Sequence, residues 1–370
     1  MVVLDKICIL RPLLTNLKKI IMKKNLHFVL ALTLGLATTV SAQDWSVDSR
    51  TRVNSTEDAT STDQRVRAAV DFGGDAVSAH VEFNAWTTLG NGALSTDFGA
   101  FNVRQAHATT NLMDFASLTA GRMALTFGSG RILGDNDWDN GIGAGTSSNT
   151  FDGLLFGINN DFADVHVGYS ATDLTDAYDA SMMFANVSKD MGNMGFNLLY
   201  VSTQEDLSGS DKTSMGLDAT YEMDNGAVLS LGYYTHDDNG TEMDLTSLGV
   251  SYAVNDDLSV HAGYDMYGEN GFYLESGSFG DMWGSGMEYS TFTYEGTDMS
   301  FGGSYSMGDF MIGATMHTIT SEDETVDYSV TDFSLGYTLS DNSSVSMNYA
   351  STDRSGEDDN KTWISLNIGF

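Results

Sequence analysis

Beyond residue 42, apolar and polar residues change places with a period of two almost to the end of the chain. Val66, Ala68, Val70 and Phe72 alternate with Arg65, Arg67, Ala69 and Asp71. Val77, Ala79, Val81, Phe83 and Ala85 alternate with Ser78, His80, Glu82 and Asn84. The step recurs at Val165, Val167 and Tyr169, at Leu217, Ala219 and Tyr221, and at Leu229, Leu231 and Tyr233. It continues at Leu258, Val260, Ala262 and Tyr264, and at Phe333, Leu335, Tyr337 and Leu339. Successive side chains of a strand point to opposite faces, so this period marks strands with one apolar and one polar face. No stretch with a helical period of 3.6 interrupts them. The chain is all-β.

The punctuation orders the strands. Tight turns fall at Gly73-Gly74-Asp75, Asn159-Asn160-Asp161, Asp190-Met191-Gly192-Asn193 and Asp224-Asn225-Gly226. Others fall at Asn255-Asp256-Asp257, Met307-Gly308-Asp309 and Ser340-Asp341-Asn342, with an eighth within residues 111–115. Gly, Asn and Asp supply the positive φ that tight hairpin turns need. The alternate connections, at 204–211, 236–244, 321–327 and 353–360, are longer and more acidic; those at 128–150 and 268–295 are longer still. Short turns alternating with long loops describe a transmembrane β-barrel. A soluble sandwich would show the same alternation, but two features favour the barrel. The polar face is rich in Gly, Ser, Asn, Asp and Arg, as a wet lumen requires. Tyrosines end the apolar faces at two heights: Tyr169, Tyr233, Tyr264 and Tyr349 before long loops, Tyr221, Tyr252, Tyr305 and Tyr337 before short turns. Such girdles sit at the two membrane interfaces. Eight short turns imply 18 strands, and a barrel of 16 to 18 strands encloses an aqueous channel.

Residues 1–42 read as a signal-peptide region. Lys23 and Lys24 precede an apolar run over residues 26–37, and Val40-Ser41-Ala42 is a small-residue cleavage site, which leaves Gln43 first. The apolar run falls short of the roughly 20 residues of a spanning helix. Met22 offers a second start. One unit, residues 43–370, follows.

That region holds the only Cys, Cys8, the only Pro, Pro12, six of the 17 basic residues and one of the 51 acids. The remaining 328 residues carry 11 basic and 50 acidic side chains, a net charge of −39. Phosphate binding needs clustered Lys and Arg, so nucleic acid is excluded as a partner. Thiolate metal sites are excluded with the cysteine. Seven of the 11 basic residues are arginines early in the chain: Arg50, Arg52, Arg65, Arg67, Arg104, Arg122 and Arg131. Parity points Arg50, Arg52, Arg65 and Arg67 into the lumen, side by side on one wall. Strict alternation turns Arg122 towards lipid with Leu118 and Ala120, unless a bulge at Gly121 turns it inward. Arg104 shares the uncertain phase of Gln105 and His107. The chain ends on Phe370, with Ile364, Leu366 and Ile368 on its face.

Gly121-Arg122, the acidic stretch Asp135-Asn136-Asp137-Trp138-Asp139, the arginines before it and the terminal Phe370 resemble the general diffusion porins of Gram-negative bacteria. The resemblance implies an outer-membrane homotrimer of barrels, normally of 16 strands, set among lipid and lipopolysaccharide. It implies a third loop folded inward to narrow the pore, with Asp135, Asp137 and Asp139 opposing the seven arginines. It also implies that Ile364, Leu366, Ile368 and Phe370 are read by the barrel assembly machinery.

The expected function is passive passage of small polar solutes and ions; a solute-specific channel and a non-conducting surface barrel are the alternatives. Lumen aromatics, Trp86, Tyr234 and Trp363, are too scattered to mark a sugar track. His80 and Glu82 share a lumen face without a nucleophile, so no enzyme is expected. An EF-hand opening at Asp135 lacks the required Gly and Glu, with Asn140 and Thr146 in their places, so no metal and no cofactor are expected. Balanced charges at the constriction and an acidic vestibule imply weak cation selectivity.

Overall fold

The computed structural model describes residues 43–55, 60–74, 76–89, 101–134, 150–159, 161–174, 178–205, 210–272, 293–323, 325–354 and 357–370. They form eighteen strands: β1 (Gln43–Ser55), β2 (Thr60–Gly73), β3 (Val77–Leu89), β4 (Phe101–Met113), β5 (Ala116–Met123), β6 (Phe151–Asn159), β7 (Asp164–Leu174), β8 (Tyr178–Met191) and β9 (Met194–Glu205), then β10 (Ser210–Glu222), β11 (Ala227–Asp238), β12 (Thr241–Ala253), β13 (Leu258–Tyr267), β14 (Gly296–Met307), β15 (Phe310–Ser321), β16 (Asp327–Ser340), β17 (Ser343–Arg354) and β18 (Glu357–Gly369). Each pairs with its neighbours in the chain, and β18 returns to pair with β1 from Asp48↔Gly369 to Ser55↔Thr362. The ring leaves no edge. Closure is what lipid demands, because a free N–H or C=O in hydrocarbon costs several kcal/mol.

Eight short connections lie at one end of the ring, as the turn residues require. The one expected within residues 111–115 is real: β4 stops at Met113 and β5 starts at Ala116. The other end differs from expectation. The acidic stretch 236–244 is paired strand, as far as Asp238↔Thr241. Asn239 and Gly240 alone make the turn, with φ of 54° and 87°. Positive φ at both positions is the type I′ hairpin turn that Asn-Gly favours. Acids are tolerated in these strand ends where they project beyond the bilayer into water.

The outer face is apolar and exposed, with Met183, Leu198, Leu231, Phe301, Met316 and Leu366 among its members. Tyr169, Tyr221, Tyr233, Tyr252, Tyr305 and Tyr337 stand exposed at its borders. The inner face is not polar throughout. Towards the ends of β5 to β16 that bear the longer connections, inward residues such as Met182, Phe184, Leu199, Met243, Leu245 and Ile319 are buried in one apolar cluster. The segment after β5 explains it: Ile132 and Leu133 are buried in the same cluster, and Leu125 and Phe127 pack on it. Burying each such side chain is worth about 1.5–3 kcal/mol, so this chain segment holds to the strands.

Candidate functional site

A bulge organises the basic wall. On β3 and β4, Glu82 pairs with Gln105 and Phe83 with Val103, so Arg104 is an inserted residue. Phe101 and Val103 before it face outward and are exposed, while Arg104 is 4% exposed. Arg104 and Gln105 therefore share the inner side, two residues opposing one. Arg104 Nη1 donates to Glu82 Oε1 at 2.7 Å, and Gln105 Nε2 to Oε2 at 3.3 Å. This settles the phase of Arg104. Arg67 Nε lies 3.2 Å from the same Oε1 and donates to Asn84 Oδ1 at 2.8 Å. Arg65 Nη2 reaches both oxygens of Asp48 at 3.2 Å. Arg50 lies opposite Arg65 in the β1–β2 register, and Arg52 opposite Asp63. Arg52 is buried, its guanidinium 5.7 Å above the Trp363 ring. Asp63 accepts from Asn54 Nδ2 at 2.5 Å. The arginines thus alternate with carboxylates on β1 to β4. Neighbouring like charges are relieved pair by pair, and buried charges need such partners.

Across the ring the inner face turns acidic. Asp218 and Asp265 lie on β10 and β13, and Asp298 and Asp332, on β14 and β16, follow between these strands and β1. In a ring of 18 strands, β2 and β11 stand nine places apart, halfway round. Residues 124–134 reach this acidic wall. Arg131 Nη2 donates to Asp265 Oδ2 at 2.7 Å, and its guanidinium lies 5.6 Å from the Tyr234 ring centre. Ser129 and Tyr234 share a hydroxyl hydrogen bond of 2.8 Å, and the Tyr234 hydroxyl donates on to Asp218. Asp265 also accepts from Ser247 at 2.5 Å. At Gly128, φ is +59°, and a Cβ there would lie 2.0 Å from Asp218 Oδ2. Only glycine fits. A cavity of about 440 Å³ lies beside this network, lined by Arg131, Asn197, Asp218, Ser230 and Tyr234 among others.

Arg122 does not join the lumen arginines. The β4–β5 register runs unbroken through Gly121, with His107↔Gly121 and Ala106↔Arg122. Gly121 has φ +128° because the β4 backbone crowds it, the Ala106 oxygen lying 2.2 Å from where a Cβ would be. Without a register shift Arg122 keeps the face of Leu118 and Ala120. It meets Asp152 there through Nε at 2.7 Å and Nη2 at 2.5 Å, and both side chains are exposed. The pair sits one residue from the end of the short strand β5, opposite Ala106 of β4, and each charge meets its partner there. Its assignment to the pore is corrected.

Asp135, Asp137 and Asp139 lie outside the described residues. Ile364, Leu366 and Phe370 are exposed on the outer face, and Phe370 exchanges backbone hydrogen bonds with Val47 at 2.8 and 3.1 Å. Among the described residues no three His, Cys, Asp or Glu side chains group to hold a metal ion. Of the lumen network, the sequence reading missed Asp48, Asp63, Asp218, Asp265, Asp298 and Asp332; the first two lie in the same period-2 phase as the arginines they serve, which was a usable signal.

No family model and no curated protein matches the chain. Among solved structures, OccK3 (OpdO) of Pseudomonas aeruginosa superposes with a TM-score of 0.67 at 12% identity, covering 90% of this chain and 96% of that one. The outer membrane protein OpdK of the same organism gives 0.66 at 14% identity, covering 90% and 99%. OccAB4 of Acinetobacter baumannii gives 0.67 at 11%, also covering 90% and 99%. The fold is that of the OprD/Occ channels. It is the β-barrel fold of these Gram-negative outer-membrane proteins. The expected general diffusion porin is overturned by this likeness, and the ring of 18 strands departs from that family's usual 16. The motifs that suggested it, an acidic loop, arginines and a final Phe, describe wide barrels at large.

Proposed function

We propose that the chain is a passive, solute-selective channel of the Gram-negative outer membrane, exported with cleavage after Ala42. Its solutes are small, hydrophilic and carry both signs of charge. The observation that carries this reading is the separation of charge around the ring: arginines on β1 to β4, aspartates on β10 to β16. A solute with a carboxylate and an ammonium group can face both walls at once. An apolar solute must instead displace water oriented between them. OpdK, which shares the fold, has been solved with vanillate; that supports a carboxylate as the anionic end.

Residues 124–134 narrow the passage from the acidic side. For simple ions the channel prefers cations weakly. Arg65 meets Asp48, and Arg67 and Arg104 share Glu82, so the basic wall carries less net positive charge than its arginines alone suggest. Acids on external loops count for little, because the Debye length is about 8 Å at physiological salt.

Liposome swelling tests the reading. A zwitterionic amino acid should enter faster than a neutral sugar of similar size, and Arg67→Gln with Arg104→Gln should shrink the difference. Equal rates in the wild type would reduce the channel to a sieve by size.

A further inference from the structure

Beside the arginine–Glu82 cluster a second row crosses the basic wall. Asp71, His80 and His107 are register partners on β2, β3 and β4. The next position, on β5, is Gly121, which brings no side chain. His80 Nδ1 lies 2.7 Å from Asp71 Oδ1. An ionised carboxylate only accepts, so this nitrogen carries the proton, and in the neutral ring the lone pair falls to Nε2. The His80 and His107 rings stack, with centroids 5.3 Å apart and 23° between planes. Among the described residues neither His80 Nε2 nor His107 Nδ1 has a hydrogen-bond partner, though both are shielded from solvent. A buried polar atom left so costs roughly 1–3 kcal/mol, and such atoms mark the place of a water or an ion.

We propose that His80 and His107 form a lumen site for a borderline divalent transition-metal ion, Cu²⁺ or Zn²⁺. Directly opposed residues on adjacent strands have Cβ atoms about 4.5–5.5 Å apart. The rings now lie nearly parallel; with His80 kept by Asp71, rotation of the His107 ring alone must bring its nitrogen to the roughly 2.0–2.1 Å of a metal–nitrogen bond. Asp71 holds the His80 tautomer that such ligation needs, the carboxylate–histidine arrangement common behind metal ligands. Glu82 Oε2 lies 4.0 Å from His80 Nε2, but Glu82 is engaged by Arg67, Arg104 and Gln105. The protein therefore supplies two nitrogens, and water or a passing solute the rest. An ion held so is labile, in keeping with transit rather than structure. Mg²⁺ and Ca²⁺ require oxygen ligands and find none here to outweigh the two nearby guanidinium groups. Imidazole sites follow the order of Cu²⁺ over Zn²⁺.

The test uses untagged barrel refolded in detergent and titrated calorimetrically with CuCl₂, ZnCl₂ and MgCl₂. One site per chain is expected for Cu²⁺, a weaker one for Zn²⁺, and none for Mg²⁺. His80→Asn and His107→Asn should each weaken Cu²⁺ at least tenfold, Asp71→Asn by roughly tenfold, and His317→Asn, on β15 beside Asp298, not at all. Electron paramagnetic resonance of bound Cu²⁺ should show coupling to two nitrogens, reduced to one in either single variant. A variant that fails to fold is replaced by Gln at the same position. No saturable binding to folded barrel, or binding kept in the double variant, overturns the site. Conductance in planar bilayers, with and without ZnCl₂, separates the site from the channel reading it accompanies. Reversible block that is lost in the double variant supports both. Binding without block upholds the site and removes it from the conducting path.

Discussion

Arg131 and Asp265 are 134 residues apart in the chain and meet at 2.7 Å. Both side chains are largely shielded from solvent. Removing one partner of a buried pair leaves a charge without compensation, at a cost of about 3–5 kcal/mol. Arg131→Met and Asp265→Asn should each lower resistance to urea, measured by heat-modifiable mobility. The double variant should lose less than the two singles together, with a coupling of about 1–3 kcal/mol. Additive losses would mean that the pair does not hold the segment after β5.

Gly128 tests the same segment through its backbone. Alanine there meets both a positive φ and Asp218. A strained residue of this kind costs about 1–3 kcal/mol. Gly128→Ala should raise single-channel conductance or its noise while leaving the barrel folded. Gly226→Ala, at a positive φ with open space around it, should leave conductance unchanged.

Glu82 binds Arg67, Arg104 and Gln105 at once. Glu82→Gln removes the charge that compensates two arginines. The reversal potential across a KCl gradient should move towards anion preference, and Arg104→Gln should move it the other way. Shifts of the same sign in both variants would contradict the placement of these groups on the conducting wall.

Arg122 and Asp152 face outward, so Arg122→Gln should leave conductance and selectivity as they are. Stability should fall by at most about 1 kcal/mol, as for an exposed ion pair. A change in selectivity would return Arg122 to the lumen.

The strands and their number were legible because alternation and turn residues are local properties. Eight turn clusters needed no knowledge of what packs where. The Arg104 bulge was not legible: an inserted residue shifts the phase of β4 without altering its composition. In β8 both Met182 and Met183 are apolar, so a period of two cannot say which faces inward; Met182 is buried and Met183 exposed. Asn239-Gly240 was a readable hairpin turn, masked by the acids around it. The Arg131–Asp265 pair joins segments that no local pattern connects.

Ring closure places the two ends of the folded unit side by side. Val47 and Phe370 exchange both backbone hydrogen bonds, and Asn239-Gly240 is a two-residue turn nearly opposite in the strand order. The barrel is therefore suited to circular permutation, since a short linker from Phe370 to β1 closes a small loop at little entropic cost. New termini at Asn239-Gly240 would keep every strand pair and every lumen charge. They would also place Phe370 inside the chain, so that its part in pairing and its part as a chain end could be measured separately.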